Sequence, residues 1–426
     1  MSDSDKNDAN TGGKNSEPDV DAAHEAAMAY DGIDDDLRDK LVEWRRHLHT
    51  NPELSYEEKA TTDYVAEQLE GLGFEVRRFS FGTGLICDVP AADDATADDL
   101  VALRADIDAL PMDEETDLEF ASTNEGASHS CGHDAHTAML LGAATLLAKN
   151  PPPRPVRLIF QPAEEQMPGG AVDCVEDGAI EGVDRIIALH CDPHRVVGDV
   201  GVHAGAITSS NAKIEVTLTS DGGHTARPHE TGDLIYALAS IATGAAQVID
   251  RRIDPRSGTV MTWGSIQAGG SAANVIPSKG TLVGTVRSAS RDTWAQLPDV
   301  VPPAISGIAE LYGVKAEVNY VQGVPPVVND EACAQLAAQA VTDVLGEDGV
   351  GEADQSSGGE DFGWYTEEIP GIYLRLGVWD GDSDETDLHH PAFMLDERAL
   401  PIGAAVFDRF ARLDRDAASD ESSNAS

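Results

Sequence analysis

The stretch Ser128-His129-Ser130-Cys131-Gly132-His133-Asp134-Ala135-His136 puts four side chains able to bind a transition metal within eight positions. Imidazole and thiolate are ligands that zinc and its neighbours prefer, and Gly132 permits a tight turn on which Cys131 and His133 can converge. The apolar run Ala138 to Ala148 that follows predicts a buried helix. A cluster at the start of that helix would meet the positive end of its dipole, which favours thiolate over thiol. The competing reading is a loop that is only histidine-rich.

Further candidates recur where apolar runs end. Glu164-Glu165 follows Leu158-Ile159-Phe160, and His190 follows Ile186-Ile187-Ala188-Leu189. Two adjacent carboxylates at a strand end suit a division of labour, one on a metal and one as general base; they could also be a solvated surface pair. His190 is a ligand or a satisfied core histidine. His389-His390 before Pro391 offers one more ligand, and the residues alone do not choose between them. Asp106 and Asp108, either side of Ile107, suit ligation or support of a ligand. The loop Gly222 to His229 carries His224 and His229, which read as a simple turn or as an electrophile reaching a substrate carbonyl. Asn274 and Arg287 could anchor a substrate carboxylate.

The elements that must position these groups form two patterns. From Asp34, helices through Leu48 and from the capping-box pattern Ser55-Tyr56-Glu57-Glu58 to Gly71 precede strands at Phe74–Phe79, Gly84–Val89 and Leu100–Ile107. Helices and short apolar strands then alternate, which predicts an α/β domain whose mixed, largely parallel sheet is flanked by helices, with its active site at the strand carboxyl ends. Near Ala206 the pattern becomes half-buried antiparallel strands around two helices, a βαββαβ, ferredoxin-like α+β unit inserted into the first domain. Pro298 and Pro302-Pro303 are expected to break or kink its second helix. The resulting division is an acidic disordered tail at 1–33, a catalytic domain at 34–205 and 323–413, the inserted domain at 206–322, and a polar tail at 414–426.

With 76 acidic against 29 basic residues, a formal charge of −47, the chain has no basic footprint for nucleic acid. At molar salt the Debye length falls to about 3 Å, which screens such self-repulsion, so a halophilic cytoplasmic protein is expected. Five cysteines at irregular spacing argue against a secreted disulfide framework. Neither a signal peptide nor a membrane span is expected.

Taken together, Arg45 to Ser55, Arg-Ala-Asp-Ile-Asp-Ala-Leu-Pro (Arg104 to Pro111), Cys-Gly-His-Asp-Ala-His, Gln-Pro-Ala-Glu-Glu, Gly-Gly-His-Thr-Ala-Arg-Pro-His and Leu-His-His-Pro resemble the binuclear metal-dependent amidohydrolases. These are the hippurate, N-acyl-amino-acid and auxin-conjugate hydrolases of the aminoacylase and carboxypeptidase G metallopeptidase family. The resemblance spans about Asp34 to Arg412, with six motifs in family order, and departs from the family in the tails and the acidity. It implies that Cys131, His133, Glu165, His190 and His389 hold two divalent metals, Zn2+ or Mn2+ with Co2+ or Ni2+ as options, with Cys131 bridging. It implies Glu164 as general base acting on a water that the metals activate. Asp106 becomes support for a ligand, with Arg104 where related peptidases carry a histidine. His224 would reach the active site of a partner subunit and stabilise the oxyanion, and Asn274 and Arg287 would bind substrate. The expected activity is hydrolysis of N-acyl-amino acids by a homodimer or homotetramer joined through the inserted domain. A dipeptidase or carboxypeptidase of the same family, or a non-catalytic metal-binding protein, are the alternatives.

Overall fold

A computed structural model describes residues 19–414. Eight strands form one mixed sheet, and its central strands, Val156–Gln161, Leu100–Asp106, Val183–Val196 and Gly371–Trp379, run parallel to one another. Strict alternation along these strands feeds two apolar cores. Val101, Leu103 and Ala105 face the layer of helices Asp35–Thr50, His133–Lys149, Glu331–Leu345 and Ala399–Arg412. Ala102, Ile159, Ile186 and Ala188 face the short helices Gly170–Glu176 and Gly363–Glu368 on the other side. Such two-faced burial is what near-continuous apolar strands require.

The inserted unit has its own sheet, in the order Val260–Ala268, Lys279–Arg287, Ala212–Thr219, Lys315–Gln322, with every neighbouring pair antiparallel. Ile214, Val216 and Leu218 meet Ile241 of the helix Leu234–Ile249 and Val301 and Ile305 of the helix Arg291–Glu310 in a separate core. This is the expected βαββαβ arrangement on a mixed α/β body.

Three local expectations are corrected. Residues 1–18 and 415–426 lie outside the described residues, but the rest of the expected acidic tail is not disordered: Val20–Met28 is a helix. Asp19 caps it, Ala23 and Ala27 bury against the core, and Arg398 pairs with Asp21 at 2.6 Å. Alanine supplies an apolar face that a search for large side chains overlooks. Second, the capping box does not form. Ser55 gives its hydroxyl to Asp108 at 2.7 Å, and the Glu53 carboxylate accepts the N–H groups of Ala60 and Thr61 that open the helix Lys59–Gly71. Third, Arg291–Glu310 continues as one helix through its three prolines. Pro298 cannot donate to the Trp294 carbonyl, and Gln322 Nε2 reaches that oxygen instead at 3.4 Å. Among the described residues no helix is long and apolar enough to cross a membrane.

Candidate active site

The parallel strands end on one edge of the large sheet, and the titratable groups converge there. Gly132 holds φ +84° at the N-terminus of the helix His133–Lys149, and a Cβ there would lie 2.9 Å from Cys191 Sγ. Only glycine takes that turn without strain, and it seats Cys131 and His133 side by side. Donor atoms of Cys131, His133 and His190 lie within 4.8 Å of one another, as do those of Cys131, Glu165 and His389, and those of His133, Glu164 and Glu165. Cys131 Sγ is 3.5 Å from His190 Nε2, and His389 Nε2 is 3.2 Å from Glu165 Oε1.

The outer contacts fix which lone pairs face inward. His133 Nδ1 donates to the Asp108 carbonyl at 2.9 Å, and His190 Nδ1 donates to the Cys191 carbonyl at 2.7 Å. In both rings Nε2 is thereby turned to the cluster, the nitrogen that is left to bind a metal once its proton is displaced. His133 Nε2 is buried and has no hydrogen-bond partner among the described residues, a costly arrangement unless a cation sits between it and Glu165 Oε1, 3.9 Å away. The donor set therefore fits a thiolate-, imidazole- and carboxylate-bound divalent metal.

The electrostatics agree. Burial alone would lower the His133 pKa, yet Asp106, Asp108 and Glu165 raise it to about 10, so the site favours positive charge. Burial, then His136 and Arg375, hold His190 well below its ordinary value and keep it neutral. The helix dipole does not by itself make Cys131 a thiolate as expected: burial, then Glu165 and Glu164, push the thiol well above its ordinary value. A bound cation would have to supply that deprotonation.

Glu164 and Glu165 sit on a turn that opens at Ala163, whose φ is +57°. The Asp108 carboxylate accepts both of their backbone N–H groups, at 3.1 and 3.0 Å, and Glu58 accepts that of Ala163 at 2.8 Å. Burial, then Glu360, Glu165 and Asp361, raise Glu164 well above the ordinary carboxylate range. Asp106 is one step removed from the cluster centre. It accepts from His136 Nδ1 at 2.5 Å and from Arg104 Nη1 at 2.6 Å, and that buried arginine also pairs with Glu360 and Asp361.

His136 is excluded as a free ligand, because its Nε2 accepts the Cys191 N–H at 2.9 Å. His390 is exposed, and its Nδ1 accepts the Ala392 N–H, so the structure separates it from His389. His224 and Asn274 stand apart from the cluster, exposed on the inserted unit where His224 pairs with Val275. Arg287 lines the cleft of about 360 Å3 that also contains Cys131, Glu164 and His190. Sequence reasoning undervalued Asp108 and missed Glu58 and Arg375; the Arg-Ala-Asp-Ile-Asp spacing was a signal for Asp108, whereas the other two carried none.

Residues 102–413 match the sequence profile of Peptidase family M20/M25/M40. A Rhodococcus jostii (strain RHA1) protein named for glutamate–cysteine ligase is 55% identical over 375 residues, which are 88% of this chain but 47% of that protein, so the chain spans about half its length. The N-acetyl-L-cysteine deacetylase of Bacillus subtilis (strain 168) is 38% identical over 373 residues, covering 87% of each chain. The crystal structure of Bacillus subtilis YXEP, described as a dinuclear metal binding peptidase from the M20 family, superposes with a TM-score of 0.75 at 34% identity, over 89% of this chain and 98% of that one.

Proposed function

The chain belongs to Peptidase family M20/M25/M40, and from that premise we propose that it hydrolyses the amide bond of N-acyl-amino acids. The observation that carries the reading is that Cys131 is common to two donor groups, one with His133 and His190 and one with Glu165 and His389. A thiolate shared in this way suits a bridge between two divalent metals, Zn2+ or Mn2+. When bound, the metals supply Lewis acidity and lower the pKa of water toward neutrality.

The chain's own groups supply the proton traffic. Glu164, held by the contact of its N–H with Asp108, takes a proton from the attacking water and returns it to the leaving amine. Asp106 fixes His136, and His136 fixes the Cys191 backbone beside His190. Arg287 binds the substrate carboxylate, while its Nη1 also serves the Ser357 carbonyl at 2.8 Å. His224 and Asn274, remote from this chain's own cluster, act on the site of a second subunit in a dimer joined through the inserted unit.

The charge of −47 further supports a cytoplasm of high salt as its working medium. The deciding experiment is metal analysis together with amino-acid release from N-acetyl, N-benzoyl and dipeptide substrates. Turnover confined to dipeptides would make it a dipeptidase or carboxypeptidase, and a metal-loaded protein with no turnover would end the enzymatic reading.

A further inference from the structure

Arginines in the large body of this acidic chain are met by carboxylates: Arg45 by Asp134 and Glu397, Arg185 by Asp99, Arg195 by Asp192 and Asp199. Arg375 breaks the rule. Among the described residues no carboxylate lies within ion-pair distance of its guanidinium, which sits over the Tyr373 ring, 5.1 Å from its centroid. Arg375 stands opposite His190 in the parallel register, so the two side chains leave the sheet on the same face. It lines the same cleft as Cys131, Glu164 and Arg287.

A half-buried guanidinium beside a centre that would hold divalent cations is electrostatically unfavourable unless an anion occupies the space between them. Acids are not scarce here, 76 against 29 bases, so the missing partner is a property of the position. Arg287, from the inserted sheet, also has no carboxylate partner among the described residues. The cleft therefore presents two carboxylate-reading forks from two different elements. A substrate with two carboxylates could engage both.

Building on the amidohydrolase reading, we propose that Arg375 binds a second carboxylate, and that the preferred substrates are N-acyl-amino acids carrying two. The second carboxylate sits on the amino-acid side chain or at the far end of the acyl group. The test measures kcat/KM for N-acetyl-L-glutamate, N-succinyl-L-glutamine and N-acetyl-L-glutamine, which share a backbone and differ in the second anion. At least one dicarboxylate should exceed N-acetyl-L-glutamine by about tenfold or more, and Arg375→Met should collapse that ratio while metal content holds. Which dicarboxylate leads assigns the second anion to the side chain or the acyl end. Equal values for all three in the wild-type enzyme overturn the proposal, even if Arg375→Met fails to fold. Calorimetric binding of the same compounds to the metal-loaded Glu164→Gln protein gives a readout independent of turnover. If no N-acyl compound is hydrolysed, the amidohydrolase reading fails, while that binding preference, present or absent, still decides the role of Arg375.

Discussion

His133 Nδ1 donates to the Asp108 carbonyl oxygen at 2.9 Å, and the same Asp108 accepts the backbone N–H groups of Glu164 and Glu165 on its carboxylate. One residue thus orients an imidazole from the helix His133–Lys149 and the acidic pair that follows the strand Val156–Gln161. Two distant parts of the chain acquire a fixed mutual geometry through it.

Asp108→Ala keeps the carbonyl but removes the acceptor for both N–H groups and for the Ser55 hydroxyl. Outer partners of metal ligands matter by about 10- to 100-fold in affinity or activity, and that loss is expected here in metal titrations and in kcat/KM. Ser55→Ala removes a single hydrogen bond and should cost about 1 kcal/mol of stability with little change in metal binding. Equal effects of the two substitutions on metal binding would refute the role given to Asp108.

Glu164→Gln keeps the shape of the turn and removes the proton acceptor. Turnover should fall by about two to four orders of magnitude. Metal content should stay at the wild-type level, because Cys131, His133, Glu165, His190 and His389 are untouched. Retention of most activity would show that another group takes the proton.

Much of this centre was legible in the sequence, because the spacing of Cys131 and His133 and the placement of Glu164-Glu165 after an apolar strand are local facts. The choice of His389 over His390 was not. It depends on the backbone of His389, at φ +60° with its N–H on the Ser130 carbonyl, which turns that ring toward Glu165. Ser55 read as a helix cap because the local pattern allowed it, and Asp108, 53 positions away, took its hydroxyl instead. Glu58 read as half of that cap, yet it holds the Ala163 turn. The two-layer body was visible in the alternation of strands and helices, whereas the helix Val20–Met28 depended on a docking face that composition does not encode.

Glu58 gives a pH signature. Burial raises its pKa from 4.5 to about 7, with Asp108 adding to the rise. Folded protein therefore binds this proton more tightly than unfolded protein does. The associated stability is fully present below pH 4.5 and is lost as pH rises to about 7, an amount of about 3 kcal/mol. In Glu58→Gln that contribution to the slope should vanish. Urea unfolding of both proteins from pH 4.5 to 8 measures the difference, and parallel curves would show that Glu58 does not titrate in this window.

Salt should stabilise the fold. With a charge of −47, self-repulsion is long-ranged at low ionic strength and is screened when the Debye length drops from about 10 Å at 0.1 M to about 3 Å at 1 M. Calorimetric unfolding midpoints should rise steeply between 0.1 and 2 M KCl, by about 10 °C or more for a gain of several kcal/mol. A flat or falling midpoint would make the acidity a compositional accident.

The position of His224 bears on assembly. It is exposed on the inserted unit, its Nδ1 accepts the Ala226 N–H at 3.0 Å, and it belongs to none of the metal-binding groups found among the described residues. If it stabilises an oxyanion, it does so in the cleft of a second subunit. His224→Ala and Glu164→Gln would each be inactive alone, since every site of either homodimer lacks one group. Dissociated and reassembled together, they form mixed dimers in which one site draws an intact Glu164 from one subunit and an intact His224 from the other. Random pairing makes half of the dimers mixed, each with one complete site, so activity should recover to about a quarter of the wild-type value. No recovery, with mixed dimers demonstrated by mass, would confine His224 to its own chain and remove the reason for reading the dimer as part of the active site.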